Sequence, residues 1–123
     1  MNKNRLWLGI LLILFLIIPT MGGAQKVPGV SGTEVVIGWT TPLSGPAALW
    51  GVTGLGGKAW ADYVNDMGGI NGRKIKVILK DDGYNPARAL TNLQEMKGNV
   101  FAVCGLLGTA IVNAAKEFFP ENK

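Results

Sequence analysis

The stretch YVNDMGGINGRKIKVILKDDGYNPARA, residues 63–89, decides the fold. It holds, in order, a helix end, a Gly68-Gly69 pair, a run from Lys74 to Lys80 that reads as a strand, an acidic loop and a second helix start. Glycine is the expected residue just past a helix C-terminus. Asn85-Pro86 is a capping side chain followed by proline at the first helical position. The stretch therefore predicts a helix, a strand and a helix joined by short loops.

The residues before this stretch predict a strand and the rest of the first helix. Residues 34–41 (EVVIGWTT) contain a β-branched run and are typical of a strand. The helix is predicted to start between Ala47 and Gly56 and to run to Met67. Trp60, Val64 and Met67 share one face at spacings of four and three, and the charged residues lie on the other side: Lys58, Asp62 and Asp66.

The residues after it complete an alternating pattern. Residues 100–105 (VFAVCG) are apolar throughout, which favours a strand buried on both faces. A helix capped by Thr109 is predicted through Ala115 to Phe119. The order β-α-β-α-β-α predicts an α/β fold, a three-layer doubly wound parallel sheet with helices on both faces and right-handed crossovers.

The N-terminus has the three parts of a secretory signal peptide. Lys3 and Arg5 precede an uncharged apolar run, residues 6–18, and the residues that follow, 19–24 (PTMGGA), end in small ones. The apolar run is shorter than the roughly 20 residues of a membrane-spanning helix. We predict a signal peptide over residues 1–24 and export to the periplasm, with an uncleaved anchor as the alternative. Residues 25–33 form a leader, and the domain occupies residues 34–123.

Composition excludes several classes of function. Removing residues 1–24 leaves ten bases against eight acids, a net charge of +2, which is too small to indicate nucleic acid or an anionic membrane as partner. The chain has one cysteine and no histidine, so it cannot form a histidine-based catalytic triad or a zinc site of the usual ligands. The expectation is a protein without enzymatic activity, cofactor or metal.

The clustered glycines at positions 51, 54, 56 and 57 do not form a phosphate-binding loop. Such a loop needs glycine where Val52 stands, and Ser or Thr after the Gly57-Lys58 pair, where Ala59 stands. No G-x-G-x-x-G motif follows the first strand either. The spacing therefore argues against nucleotide binding.

Two loops at strand ends contain residues that could carry chemistry. Asp81 and Asp82 could do acid–base work or hold a cation, but the favoured interpretation is solvated loop residues near a helix start. The loop from Gly105 to Thr109 opens a helix, whose free N–H groups can hold an anion. The Thr109 hydroxyl could bind a ligand carboxylate or only cap its own helix, and both interpretations stay open.

Strand order would decide which loops meet. If the third strand lies beside the first, in the order 2-1-3, the loops after the first and third strands face each other at the carboxyl edge of the sheet. Trp50 could then supply an aromatic wall, or simply pack against the first helix. The residues expected to face one another are Ser44, Pro46 and Trp50 on one side and Leu107, Gly108 and Thr109 on the other.

Three segments together resemble the periplasmic branched-chain amino acid (Leu/Ile/Val) binding proteins of ABC transporters, which are type I periplasmic binding proteins. They are PLSGPAALWG (42–51), the stretch 63–89 and GLLGTA (105–110). The resemblance implies two α/β lobes closing on a solute, a 2-1-3 strand order, and residues 34–123 as the N-terminal part of the first lobe, with the second lobe absent. It also implies that Thr109 holds the ligand carboxylate, that Leu107 and Gly108 line the pocket, and that Trp50 contacts the ligand.

The sequence departs from the family at informative positions. The classical amino acid binder has a disulfide at the positions of Tyr84 and Gly108, so that link is absent here. Ala110 and Ile111 stand where that protein has further hydroxyl residues. The ligand class therefore stays broad: branched-chain or other amino acids, amides or small carboxylates.

The predicted function is the solute-binding component of an ABC transporter, which delivers its ligand to a membrane permease. An exported sensing domain of a receptor with the same fold is the alternative, and a flavodoxin-like enzyme is a third hypothesis. The family runs to several hundred residues, so we expect a fragment whose incomplete sheet exposes apolar edges and lowers its stability.

Overall fold

The computed structural model describes residues 26–121. The predicted alternation of strands and helices is confirmed, whereas the predicted signal peptide, residues 1–24, lies outside the described residues. The elements are strand β1 (Glu34–Thr41), a 3₁₀ helix (Ala48–Gly51), helix α1 (Val52–Asp66), β2 (Lys74–Asp81), α2 (Pro86–Met96), β3 (Ala102–Cys104), α3 (Thr109–Ala115) and α4 (Phe118–Glu121).

The three strands form one parallel sheet in the order β2-β1-β3, as predicted. β1 and β2 pair over their whole length, from Glu34 opposite Lys74 to Thr41 opposite Asp81. β3 pairs with β1 only from Ala102 to Cys104, opposite residues 37–39. Because all three strands run the same way, the loops that follow them leave the sheet at one edge.

Helices cover both faces of the sheet. A Cβ added to Gly38 would lie 2.7 Å from the sulfur of Met96 in α2, so this face of β1 packs against α2. The next residue, Trp39, points the other way, and its ring would lie 2.5 Å from a Cβ on Gly57 of α1. Leu93, Met96 and Ala115 form the buried core between α2, α3 and the sheet. The predicted three-layer arrangement is thereby confirmed.

The face of α1 that packs on the sheet is made of small residues. Gly54 and Ala61 are buried, whereas Trp60 is 66% exposed and Met67 is 74% exposed. The expected apolar face is therefore wrong for these two large residues. The Trp39 ring occupies the space between helix and sheet, and only residues with little or no side chain fit above it.

β3 is shorter and more exposed than predicted. The expected strand covered residues 100–105 and was buried on both faces, but Phe101 and Cys104 are exposed. Within residues 26–121, β3 is the last strand on its side of the sheet, and α1 packs against β1 and β2 instead. An apolar run thus predicted a central strand where the described part of the chain has an edge.

A short-range signal placed the start of α2 correctly. The Asn85 side chain accepts hydrogen bonds from the N–H groups of Ala87 (2.9 Å) and Arg88 (3.1 Å), which confirms it as the cap of α2. Asn65, near the end of α1, donates to the Ile75 carbonyl and accepts from the Ile75 N–H, both at 2.7 Å. Among the helices of residues 26–121, none is long and apolar enough to cross a membrane.

Candidate ligand-binding site

Asp81 ties the loop after β1 to the end of β2. Its carboxylate accepts hydrogen bonds from the N–H groups of Leu43 (2.8 Å) and Gly83 (2.8 Å). The Ser44 hydroxyl donates to it at 2.5 Å, and the Arg88 guanidinium at 3.1 Å. The hydrogen bond from Ser44 is the largest cause of a lowered pKa at Asp81. Partial burial raises this pKa, but the main-chain donors and Arg88 lower it further, so it lies well below its usual range.

Asp82 is buried and ties the loop after β2 to β1. Its carboxylate accepts from the Thr40 hydroxyl at 3.0 Å and from the Tyr84 N–H at 2.8 Å, while its carbonyl accepts from the Asn85 N–H. The interpretation of both aspartates as solvated loop residues is therefore wrong. Each aspartate also accepts a hydrogen bond from a group more than 35 positions away along the chain, which local sequence does not reveal.

Tyr84 links the loops that follow all three strands. Its ring makes an edge-to-face contact with Trp50, with 6.1 Å between centroids and 78° between planes. A Cβ added to Gly108 would lie 2.4–2.8 Å from three atoms of the Tyr84 ring and hydroxyl. The aromatic ring therefore occupies the space between the two positions where the classical family member has its disulfide.

A cleft of about 390 Å³ opens beside these rings. Trp50, which is 56% exposed, and Tyr84 form its aromatic part. The residues that line the cleft are Pro46, Ala47, Leu49, Trp50 and Tyr84. A concave, mostly apolar space at the carboxyl edge of a parallel sheet is where such folds bind small ligands.

Only some of the residues predicted from sequence line this cleft. Trp50 lines it directly, and Gly108 reaches it through the Tyr84 ring. Leu107 is half-buried and Thr109 is exposed; neither is among the residues that line the cleft in the described structure. Ser44 faces Asp81 rather than the cleft.

Thr109 is the first residue of α3 and not its cap. Gly108 occupies the capping position with φ 106° and ψ 142°, and no side chain of residues 26–121 caps this helix. The prediction that Thr109 caps its own helix is therefore wrong, and the predicted single helix to Phe119 is divided into α3 and α4. The first-turn N–H groups of a helix lack intrahelical acceptors, so the Thr109 end of α3 presents donors next to Tyr84.

The start of the same loop is fitted closely to the sheet. Gly105 has φ 75°, and a Cβ there would lie 1.7 Å from the indole nitrogen of Trp39. That nitrogen is buried and has no hydrogen-bond partner among the described residues. Glycine is needed at position 105 both for its backbone conformation and for the space that Trp39 takes.

Tyr84 is the site residue that sequence reasoning missed. The family resemblance predicted that Tyr84 and Gly108 are neighbours only because the classical member has a disulfide at these two positions. The available signal was a large aromatic residue at one of those positions and a glycine at the other, which together allow a ring to fill the gap.

The comparisons with known proteins agree with this architecture. The profile of the family described as "Periplasmic binding protein" matches residues 34–123. "Leu/Ile/Val-binding protein homolog 1" from Brucella abortus is 30% identical over 96 residues, which are 76% of this chain and 26% of that protein. The chain thus spans about a quarter of the length of the curated relatives it matches.

Solved structures place the fold in the same family. A fatty acid ABC transporter substrate-binding protein from Thermomonospora curvata matches with a TM-score of 0.74 and 30% identity, over 80% of this chain and 25% of that one. The branched-chain amino acid transporter substrate-binding protein LivJ from Streptococcus pneumoniae, solved with isoleucine, matches with a TM-score of 0.58 and 28% identity, over 69% and 26%. These relatives are binding proteins and not enzymes. The chain therefore belongs to the periplasmic binding protein family, as a type I member similar to the Leu/Ile/Val-binding proteins, and its sheet and helices match part of the first lobe.

Proposed function

We propose that this chain is the extracytoplasmic solute-binding component of an ABC transporter and that it binds an amino acid or a related small carboxylate. One observation carries the proposal: the Tyr84 ring joins Trp50 to Gly108 beside an apolar cleft at the carboxyl edge of the sheet. The names of the relatives, which include Leu/Ile/Val-binding and fatty acid substrate-binding proteins, support this ligand class.

The proposed roles divide the ligand into two ends. Trp50 forms the wall for an apolar group, since it is exposed at the cleft. The N–H groups at the start of α3 and the Thr109 hydroxyl bind the carboxylate, and Leu107 lines the approach. An uncapped helix start favours an anion because its N–H groups and dipole are unopposed.

Export and docking complete the proposal. Residues 1–24 direct the chain to the periplasm, residues 25–33 lead into the domain, and residues 34–123 contribute part of the first lobe. Closure of this lobe against a second one around the ligand creates the form that docks on the permease.

A ligand titration of the exported chain tests the proposal. The chain is expressed with its own N-terminal segment, recovered after export and titrated with L-isoleucine, L-leucine, L-phenylalanine and octanoate by NMR chemical-shift perturbation, which detects weak binding. We expect at least one of these carboxylates to shift resonances of residues 105–111 and of Trp50.

Thr109→Ala supplies the residue-level test. Loss of a hydrogen bond to a charged group costs about 1.5–3 kcal/mol, so affinity should fall by about tenfold or more. The control is Thr91→Ala, because the Thr91 hydroxyl donates to the Ala87 carbonyl of its own helix, away from the cleft. Binding of none of the four probes, or equal affinity of the two variants, would refute the proposed site.

A further inference from the structure

Helix α1 carries large apolar side chains on its outer side. The small residues Gly54 and Ala61 are buried against the sheet, whereas four large apolar residues on the remaining surface are each more than half exposed. An ordinary surface helix turns its apolar side to the core and its polar side to solvent. An exposed apolar surface of this kind marks a site of interaction. The four residues are Val52, Trp60, Tyr63 and Met67.

Two small exposed residues, Gly56 and Ala59, lie between these large ones. At 3.6 residues per turn, all six positions fall within about 100° of the helix circumference. This surface is called the outer stripe below. It consists of Val52, Gly56, Ala59, Trp60, Tyr63 and Met67.

The outer stripe has both a projection and a hollow. The rings of Trp60 and Tyr63 lie 5.3 Å apart between centroids, with 31° between their planes. An open hollow of about 460 Å³ is lined by these two rings together with Gly56 and Ala59. Because one surface offers both shapes, two copies related by a two-fold axis can each place their rings in the hollow of the other.

The charges of α1 do not oppose such a pairing, because the outer stripe contains none of them. The charged residues are Lys58, Asp62 and Asp66. In an antiparallel pair centred on Ala59 and Trp60, the two Asp66 carboxylates lie about 20 Å apart along the helix axes. No like charges meet, and the antiparallel helix dipoles oppose one another favourably.

The area of the outer stripe suits a weak dimer. Its exposed side chains offer roughly 500 Å² of apolar surface, since aromatic side chains alone bury about 150–250 Å² each. Two copies would therefore bury roughly 1,000 Å² together, which is the lower limit for a specific interface. Tryptophan and tyrosine are also the residues that contribute most to association when they lie at the centre of an interface.

We propose that two copies of this chain associate through their outer stripes, with α1 of one copy antiparallel to α1 of the other. A second copy fits this surface because the stripe is complementary to itself in shape and carries no charge that calls for a partner of opposite sign. The pairing is separate from the proposed function, since the outer stripe shares no residue with the ligand cleft.

Sedimentation velocity of the exported chain over a range of concentrations tests the association. We expect a monomer–dimer equilibrium in the micromolar range, and Trp60→Ala should weaken it by at least about tenfold. The control is Val112→Ala, because Val112 is exposed on α3, which packs with α2 on the opposite face of the sheet. This control should dimerise as the wild type does.

Oppositely charged variants at position 59 test the geometry. Near the two-fold axis the two side chains at this position lie side by side, so Ala59→Lys and Ala59→Glu should each be monomeric alone through like-charge repulsion. A mixture of the two should form a heterodimer, because opposite charges then face each other. Ala59 is exposed, so both variants should keep the thermal midpoint of the wild type.

Three results would overturn the inference. One is a monomer at concentrations up to about 500 μM, which would leave the outer stripe to a different chain or segment. The others are a dimer that Trp60→Ala does not weaken and a mixture of the position-59 variants that stays monomeric. None of these results bears on ligand binding at the cleft.

Discussion

Replacing Gly108 with alanine should destabilise the chain mainly by displacing the Tyr84 ring. The added Cβ would lie 2.4, 2.6 and 2.8 Å from Cε2, Oη and Cζ of Tyr84. Carbon atoms prefer separations of about 3.5–4.0 Å, so the ring must move by about 1 Å or leave its place. Overpacking of this kind costs about 1–3 kcal/mol. Movement would also weaken the contact with Trp50, an aromatic pair of the kind worth about 0.5–1.5 kcal/mol.

The backbone makes a second contribution that a control can isolate. Gly108 has φ 106°, and a side chain in this region adds about 1–3 kcal/mol of strain. Gly68 has the same φ of 106°, but an added Cβ would meet nothing within 4 Å. Gly68→Ala should therefore show the backbone cost alone, and Gly108→Ala should be less stable than Gly68→Ala by about 1–3 kcal/mol.

Urea denaturation of the exported chain, followed by circular dichroism, measures both losses in the free energy of unfolding. In a Tyr84→Ala background the additional loss from Gly108→Ala should shrink to that of Gly68→Ala, because the clashing atoms are gone. Equal losses for Gly68→Ala and Gly108→Ala in the wild-type background would refute the packing of Tyr84 on Gly108. An undiminished loss in the Tyr84→Ala background would refute it as well.

Three further predictions concern other parts of the chain. The hydrogen bonds that lower the pKa of Asp81 contribute stability that is present above its unfolded pKa of about 3.9 and is lost progressively as pH falls from about 5 toward 1. Thermal midpoints should therefore fall over this range in the wild type and in exposed Asp66→Asn, but less in Asp81→Asn. In α1, Gly56→Ala should stabilise the chain by about 0.5–1 kcal/mol, because nothing lies within 4 Å of the added Cβ. Gly57→Ala should destabilise it by about 1–3 kcal/mol, because the added Cβ would overlap the Trp39 ring. Urea denaturation that shows the same sign for both changes would contradict this. Intact mass spectrometry of the exported chain should show cleavage after Ala24, and retention of residues 1–24 would favour the anchor instead.

Local patterns predicted most of the fold correctly. The residues 63–89 specify a helix end, a strand and a capped helix through contacts between neighbours in the chain, and Asn85 makes the predicted hydrogen bonds. The eight-residue strand Glu34–Thr41 was predicted at its observed bounds. Alternation of strands and helices then left a parallel sheet as the consistent arrangement.

Predictions of burial failed where packing partners decided the outcome. Trp60 has the spacing of a core residue, yet the helix packs through glycines because Trp39 from the sheet already fills the interface. The run around Val103 is apolar enough for a central strand, yet α1 packs against β1 and β2 instead, and Cys104 is exposed. Hydrophobic spacing reports that a residue can be buried and does not report whether a partner reaches it.

The sequence alone determined the class of fold, the strand-and-helix order and the candidate loops of the site, because each depends on residues within a few positions of one another. Only the tertiary structure decided that Asp82 is buried and that Tyr84 joins Trp50 to Gly108. These contacts connect residues from three separate loops, and they form only after the parallel sheet has brought the strand ends to one edge.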